Sequence, residues 1–302
     1  MSMQRTTLPS GLELAWSLEG DDSGQPVLVL LNGSVFNLGQ WDNMVKGGWR
    51  QAPYRVLRLD YADTGSSGRR AQPVGLPVLG QELSELLGAL DIAQAHFYGI
   101  SQGTMVLTAL AVVDPKRILS AAGYGWFHGG YSDFSATQAR IQSRVTALQG
   151  FRDIWEEPLS RAHFERLWTE MYRDALFHAT WQELSPLGKL KDWGARRLLF
   201  PLLEPTPIGR IHDWFAYCVG GLSDDLAWLA PGLAALADKP VLLQHAVEDA
   251  TLEIGMAREL QAALPGSQLI EYPAPFTHIS AAFKKGHARQ VVADHLGFLD
   301  GV

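Results

Sequence analysis

The sequence contains a single cysteine, few positive charges and no long apolar run, and each shortage excludes a class of protein. Because Cys218 is alone among 302 residues, neither an internal disulfide nor a zinc site built from several cysteines can form. The 25 Lys and Arg residues form no long run and are outnumbered by 32 Asp and Glu residues, which gives a net charge of −7. This balance predicts that nucleic acid is not a partner.

The sequence also lacks the features of membrane and exported proteins. No stretch approaches the roughly 18 consecutive apolar residues of a transmembrane helix, so we expect no membrane span. The first residues, MSMQRTTLPSGLELAW, lack the apolar core of a signal peptide. Together with the lone cysteine, these features predict a cytoplasmic protein.

Motifs for metal and nucleotide binding are missing as well. The sequence has no H-E-x-x-H pattern and no phosphate-binding Walker loop. The glycines of Gly65–Gly68 lack the spacing of a dinucleotide-binding turn. We therefore expect no metal site and no cofactor.

Apolar runs of strand length alternate with segments of helical periodicity over most of the chain. The predicted strands are Gly11–Gly20, Pro26–Gly33, Arg55–Tyr61, Ala95–Ser101, Arg117–Gly125, Pro240–Asp249 and Ser267–Pro273. The predicted helices are Gly80–Ile92, Gly103 to just before Pro115, Ile254–Leu264 and Ala288–Leu299. This alternation predicts an α/β fold with a mostly parallel sheet and helices on both faces.

The middle third of the chain interrupts the alternation. It has long periodic segments and few β-branched runs, and seven of the ten Trp residues lie between Trp126 and Trp228. We therefore predict that residues 126–235, named the cap here, form a helical insertion. Residues 1–125 and 236–302 would form the core.

A serine between two glycines follows one of the predicted strands. In Gly99-Ile100-Ser101-Gln102-Gly103 the strand ends and a helix begins. A G-x-S-x-G pattern alone can be an ordinary tight turn. Between a strand and a helix it predicts a nucleophile elbow, in which the glycines leave room for a strained serine at a helix N-terminus. Ser101 is therefore the candidate nucleophile.

A serine hydroxyl needs a base and an orienting acid, and the end of the chain offers both. Asp249 closes one predicted strand and His278 follows the last, so both fall where the carboxyl ends of parallel strands meet. Glu248 competes for the acid role, but its side chain should point to the other side of the strand. Eight other histidines compete with His278. We predict His278 as general base and Asp249 as the acid that orients it.

The oxyanion that forms during acyl transfer needs two backbone N–H donors. The residue after the nucleophile, Gln102, is the first candidate. The second is Ser34, in the loop after the first buried strand, where Gly33 permits a tight turn. The stretch from Phe127 to Gly130, F-H-G-G, resembles a lipase-type oxyanion motif, but it follows the nucleophile, and we interpret it as the entry to the cap.

Substrate contacts are predicted at the edge of the core and in the cap. The candidates are Asn32, Gly33, Trp126 and Phe127. Large aromatic residues throughout the cap form either its own core or a pocket for an apolar acyl group. They are Trp126, Trp155, Trp168, Trp181, Trp193, Trp214, Trp228, Phe127, Phe151, Phe164 and Phe215. The cap arginines Arg152, Arg161, Arg166, Arg173, Arg196 and Arg197 form either a solvated helix face or a surface for a phosphopantetheine or carrier protein.

With these residues in order, the chain resembles the α/β-hydrolase superfamily over nearly its whole length. The resemblance is carried by the Asn-Gly loop, a D-x-x-x-T-G-x-S loop at Asp60–Ser67, the G-I-S-Q-G elbow, and then Asp249 and His278. It implies an eight-stranded, mostly parallel sheet with an inserted helical cap. It also implies a Ser101, His278 and Asp249 triad.

Two stretches resemble acyltransferases of bacterial 3-hydroxyacyl metabolism. LLNGSVFNLGQWD and EDATLEIGMAREL are similar to the hydroxyalkanoyloxy-alkanoate synthases of rhamnolipid assembly and to the hydroxyacyl carrier-protein–CoA transacylases. Those families place Trp after the serine, where this chain has Gln102. The resemblance implies a thioester substrate carried by CoA or an acyl carrier protein.

The sequence thus predicts a serine-dependent enzyme acting on an ester or thioester with a hydrophobic acyl group. Hydrolysis through an acyl-serine is the main hypothesis, and 3-hydroxyacyl transfer is the alternative. A non-catalytic scaffold, and a cofactor-free oxygenase or perhydrolase, are the remaining hypotheses.

Overall fold

The computed structural model describes residues 2–21, 24–127, 135–169, 173, 182–204 and 206–302. Its central element is a single mixed sheet. The eight strands are β1 (Gln4–Thr7), β2 (Glu13–Glu19), β3 (Val27–Leu31), β4 (Arg55–Leu59), β5 (Ala95–Ile100), β6 (Ile118–Tyr124), β7 (Val241–Ala246) and β8 (Gln268–Tyr272). Their order is β1-β2-β4-β3-β5-β6-β7-β8. β2 pairs antiparallel with β1 and β4, and all other pairs are parallel.

Eleven α-helices accompany the sheet in the described residues. They are α1 (Asp42–Gly47), α2 (Leu76–Ala89), α3 (Gln102–Val113), α4 (Ser135–Gln149), α5 (Arg161–Leu167), α6 (Pro186–Leu203), α7 (Ile208–Ala216), α8 (Leu222–Leu236), α9 (Ile254–Ala263), α10 (Ser280–Phe283) and α11 (Lys285–Leu299). The predicted α/β-hydrolase fold is confirmed. No helix in the described part of the chain is long and apolar enough to cross a membrane.

The central strands are buried on both faces, which explains their continuous apolar sequences. In β3, Val27, Val29 and Leu31 belong to one hydrophobic core. Leu28 and Leu30, which alternate with them, belong to the core on the opposite face. Because successive side chains of a strand point to opposite faces, both sets must be apolar when helices cover both sides.

Two predicted strands end earlier than their apolar runs suggested, and the difference is important for the site. β5 ends at Ile100 and β7 at Ala246, so Ser101 and Asp249 lie in the turns that follow. The turn at Asp249 is stabilised locally, because its carboxylate accepts hydrogen bonds from the N–H groups of Thr251 and Leu252. The short edge strand β1 was not predicted.

Five of the described α-helices, α4 to α8, lie between β6 and β7, in the segment predicted to be the cap and one residue beyond it. The last of them, α8, packs against α3 of the core, so the cap segment is joined to the sheet's helical layer along its final helix. The predicted boundary at residue 235 falls in the last turn of α8. Trp181 and His128–Gly130 lie outside the described residues.

His295, a residue of α11, is fully buried where this helix packs on the sheet. His295 Nδ1 accepts a hydrogen bond from Trp49 Nε1 at 3.1 Å, and the imidazole packs edge-on against Tyr98. An acceptor nitrogen carries no proton, and burial lowers the pKa of His295 from 6.5 to about 3. Burial also lowers the pKa values of His96 and His245. The folded protein therefore keeps these rings neutral.

We expect the free energy of unfolding to fall in acid because of His295. Between pH 6.5 and pH 3 the unfolded chain protonates this ring and the folded chain does not, so stability is full above pH 6.5 and decreases below it. The loss is about 1.4 kcal/mol per pH unit for one such group. The test is His295→Gln, whose amide oxygen can still accept a hydrogen bond from Trp49. Between pH 7 and pH 5, the free energy of unfolding measured by urea titration should fall by about 2 kcal/mol less in this variant than in wild type. Equal losses would contradict this.

Candidate active site

The turn between β5 and α3 holds Ser101 in a strained backbone conformation. Its φ of 51° and ψ of −113° lie outside the regions open to most residues. A Cβ at Gly103 would lie 1.9 Å from the carbonyl oxygen of Leu31, and a Cβ at Gly99 would lie 2.6 Å from the carbonyl carbon of Gly103. Only glycine fits at either position. The two glycines therefore permit the chain to reverse sharply at the serine, which begins the helix.

Asp249 and His278 are brought together by the turns that follow β7 and β8. His278 Nδ1 lies 2.7 Å from Asp249 Oδ2. The other carboxylate oxygen accepts from the N–H groups of Thr251, at 2.7 Å, and Leu252, at 2.9 Å. Burial alone would raise the pKa of Asp249, but the adjacent His278 and the backbone donors keep it below its ordinary value. An ionised Asp249 fixes the proton of His278 on Nδ1, which leaves Nε2 as a base.

The end of β6 makes room for the imidazole of His278. Gly125 has a φ of +61°, and a Cβ there would lie 3.1 Å from His278 Cε1. Tyr124, one residue earlier, donates its hydroxyl to the carbonyl of Thr277 at 3.0 Å. The imidazole is thus positioned by contacts with β6 as well as by Asp249.

Ser101 and His278 line one cavity between the sheet edge and the cap, with about 750 Å³ of space including its open mouth. Among the predicted residues, Gly33, Ser34 and Phe127 also line it. The other lining residues are Phe36, Gln40, Ile100, Met105, Ile141, Arg144, Trp214, Phe215, Cys218, Thr251, Leu252, Ile279, Ala282 and Phe283. Most of these side chains are apolar, so the cavity suits an apolar substrate group.

Asn32 and Trp126, also predicted to bind substrate, are not among the residues that line this cavity. The Asn32 amide is buried, donating to the carbonyl oxygens of Phe36 and Leu59 and accepting from Trp41 Nε1 at 2.6 Å. The Asn32 side chain thus stabilises the loop that follows β3. Trp126 is fully buried, and its indole N–H approaches Thr108 Oγ1 at 3.4 Å.

In the loop after β3, predicted to supply an oxyanion donor, the backbone N–H groups on either side of Ser34 point to side-chain oxygens. The Gly33 N–H donates to Gln40 Oε1 at 3.1 Å, and the Val35 N–H lies 3.4 Å from Gln102 Oε1. Val35 has a φ of 59°, which is rare for a β-branched residue. Neither the Ser34 N–H nor the Gln102 N–H is a donor in the backbone hydrogen bonds of the described turns and loops.

The cap is hydrogen-bonded directly to this loop. Trp214 of α7 donates its indole N–H to Ser34 Oγ at 2.8 Å. Asn37 donates its backbone N–H to the carbonyl of Leu202 at 3.1 Å and its side-chain amide to the carbonyl of Pro201 at 3.0 Å. The position of the loop therefore depends on α6 and α7.

The residues considered as alternatives for the acid and base roles lie in other positions. Glu248 is exposed beside the buried Asp249. His245 is buried in β7 with Nε2 3.0 Å from the Leu252 carbonyl and 3.8 Å from Asp249. His287 and His295 lie on α11.

Few of the cap aromatics and none of the cap arginines named from the sequence reach the cavity. Trp214, Phe215 and Phe127 line it, whereas Trp168 and Phe164 are buried within the cap. Arg173 and Arg196 lie beside Asp192. Sequence analysis missed Gln40 and Arg144. The Ile141–Arg144 spacing, one turn of a helix, was the available signal for Arg144.

Comparisons with known proteins identify the fold family of the chain. A model of the alpha/beta hydrolase fold family matches residues 26–278. The dihydrolipoyllysine-residue acetyltransferase component of the acetoin cleaving system of Pseudomonas putida is 34% identical over 150 residues, 47% of this chain. That alignment spans only 40% of the relative's length.

One further relative and one solved structure are similar to this chain over most of their length. RutD of Klebsiella pneumoniae (strain 342), provisionally named a carbamate hydrolase, is 25% identical over 262 residues, covering 83% of this chain and 84% of RutD. The crystal structure of the enol-lactonase from Burkholderia xenovorans LB400 superimposes with a TM-score of 0.73 at 20% identity. The superposition covers 97% of this chain and 100% of the enol-lactonase chain. Because the sequence identity is so low, this likeness shows only that the two proteins share a fold.

Proposed function

The chain belongs to the α/β hydrolase fold family and is an esterase-type hydrolase, and on that premise we propose that Ser101 is its nucleophile. His278 is the general base, Asp249 orients it, and the amides of Ser34 and Gln102 bind the oxyanion. The substrate is a small-molecule ester with an apolar group.

One observation carries the proposal: His278, which is paired with Asp249, borders the same cavity as a strained serine at a helix N-terminus. A structural serine has no need of a backbone conformation that only flanking glycines allow. Strained conformations of this kind persist where the surrounding structure enforces them, most often at functional sites. RutD, the relative provisionally named a carbamate hydrolase, supports hydrolysis as the reaction.

The reaction follows from these positions. His278 Nε2 takes the hydroxyl proton as Ser101 Oγ attacks the ester carbonyl, whose oxygen becomes negative between the two amides. The protonated imidazole is stabilised by Asp249 and gives its proton to the leaving alcohol, which leaves an acyl-serine. Water then attacks the acyl carbon, His278 takes its proton, and the acid departs as Ser101 recovers its hydrogen.

Acyl transfer would share the first half of this sequence. A hydroxyl or thiol acceptor would replace water in the second half, as the resemblance to 3-hydroxyacyl transferases implies. Product analysis with a 3-hydroxyacyl thioester separates the two: free acid supports hydrolysis, and a dimeric ester supports transfer.

Reaction with a fluorophosphonate tests the nucleophile directly. We expect one phosphonyl group per chain, located on Ser101 by peptide mass spectrometry, because only a serine activated by a base attacks the probe rapidly. Heat-unfolded protein is the control and should not react. If folded protein stays unmodified, or if the group is found elsewhere, the proposed active site is wrong.

A further inference from the structure

We propose that the natural substrate carries a further neutral oxygen atom near its ester carbonyl, and that this oxygen accepts a hydrogen bond from the side-chain amide of Gln40. The inference rests on the proposed function and adds a chemical feature of the substrate. It assigns a specificity role to a glutamine that the proposed mechanism does not use.

Gln40 is almost completely buried, yet it forms part of the wall of the proposed active-site cavity. Only 2% of its surface is exposed. It lies in a short 3₁₀ helix, Leu38–Trp41, which is capped by the Asn37 side chain through the Gly39 N–H at 3.0 Å. The Gln40 N–H donates to the Asn37 carbonyl, also at 3.0 Å. The backbone that carries the side chain is therefore fixed by local hydrogen bonds.

The orientation of the Gln40 amide follows from its hydrogen bond to the backbone. Its Oε1 accepts from the Gly33 N–H at 3.1 Å, and an N–H donor can be met only by the oxygen of an amide. Nε2 and its two hydrogens therefore point elsewhere. Among the described residues, none accepts a hydrogen bond from Nε2. Nor is Nε2 one of the described atoms sealed in the interior without a partner, so it is reached from the cavity.

Two other polar side chains on this wall are already hydrogen-bonded to the protein. Ser34 Oγ accepts from Trp214 Nε1 at 2.8 Å, and Thr251 Oγ1 accepts from Arg144 Nη2 at 3.3 Å. Once a substrate has displaced water from the cavity, an amide NH2 group that faces methylene groups is left unpaired, which weakens binding. A substrate that supplies an acceptor avoids this loss.

The position of Gln40 indicates where the acceptor belongs on the substrate. Gly33, which the amide holds, directly precedes Ser34, the proposed oxyanion donor. The atoms next to a carbonyl bound at Ser34 therefore lie on the side of the cavity that Gln40 forms. An NH2 group only donates, and a neutral amide compensates poorly for the dehydration of a charge. We therefore assign a hydroxyl, ether or carbonyl oxygen on an otherwise apolar group.

Four 4-nitrophenyl esters of equal chain length test the inference. The hexanoate has only methylene groups, whereas the propoxyacetate, the 3-ethoxypropanoate and the 4-methoxybutanoate replace one methylene with an ether oxygen, successively further from the carbonyl. Each kcat/KM is divided by the rate constant of hydroxide-catalysed hydrolysis, which corrects for intrinsic reactivity. We expect wild type to favour one of the ethers over the hexanoate by about 5-fold or more, as one neutral hydrogen bond implies.

Variants at Gln40 should remove this preference. Gln40→Glu keeps an acceptor for the Gly33 N–H but replaces the NH2 group with a second acceptor, so the favoured ether should become the poorer substrate. In Gln40→Met, which has neither group, the ratio should fall to about one. A purely structural role would lower activity toward all four esters by the same factor and leave the ratio unchanged. Gln51→Glu is the matched control, because Gln51 is exposed, and it should keep the wild-type ratio.

Two results would overturn the inference: a wild type that favours none of the ethers, or an unchanged ratio in a folded Gln40 variant. If Gln40→Glu does not fold, the wild-type ratio and Gln40→Met decide. If the protein hydrolyses no ester and reacts with no fluorophosphonate, the proposed function fails. Titration with the methyl ketones of the same four chains, followed by tryptophan fluorescence, then measures binding without catalysis. Tighter binding of an ether that is lost in Gln40→Glu or Gln40→Met would still support the donor site, and equal binding of all four would refute it.

Discussion

Replacing Ser101 with alanine is expected to lower kcat for ester hydrolysis by about 10⁵-fold or more. The reason is that no other hydroxyl can take the place of Oγ at the elbow, where the backbone of Ser101 is fixed by Gly99 and Gly103. KM should change little, because the cavity wall remains intact. Steady-state kinetics with an activated ester measure both parameters, and circular dichroism checks the fold.

Ser143→Ala is the control for this substitution. Ser143 is an exposed residue of α4 whose hydroxyl donates only to the Arg140 carbonyl of its own helix. We expect activity close to wild type. If folded Ser101→Ala retained more than about one part in 10³ of wild-type kcat, the serine would not be the nucleophile.

Replacing Asp249 with asparagine should lower kcat by about 10⁴-fold while the structure is preserved. The N–H groups of Thr251 and Leu252 both donate to Oδ1, so the new amide must direct its oxygen to them and its NH2 group to His278. His278 Nδ1 then has to accept, which moves the ring proton to Nε2, the nitrogen that should receive the serine proton. The histidine is held in the wrong tautomer.

Glu248→Gln is the matched control, because this acid is adjacent but exposed. It should leave kcat within about 3-fold of wild type, as expected for a surface substitution. Kinetic measurements on both variants decide between the two acids. A large loss in Glu248→Gln, or near-normal turnover in Asp249→Asn, would contradict the assignment of Asp249.

The sequence was most informative where short-range pattern determines structure. The apolar run of β3 and the glycines around Ser101 predicted a buried strand and a sharp turn, because both depend on the residues themselves and their immediate neighbours. The pairing of Asp249 with His278 was predicted from the common edge where parallel strands end. Their roles in catalysis stay predictions until the experiments above are done.

Other features depend on packing between distant segments. Asn32 was assigned to substrate contact, but its amide braces a loop through Phe36, Leu59 and Trp41, contacts that only the folded chain defines. Arg144 was overlooked because a charged residue on a periodic helix is usually solvated. Only the approach of α4 to the turn at Thr251 brings it into the cavity.

The hydrogen bonds from Trp214 and Asn37 bear on any attempt to redesign this enzyme by exchanging segments. The loop that carries Ser34 is tied to α6 and α7, so these helices are part of the machinery that aligns one proposed oxyanion donor. A chimera that receives its cap from another family member would need an equivalent donor at position 214 and equivalent acceptors near residues 201 and 202. Without them, a graft intended to change only substrate preference would also alter turnover.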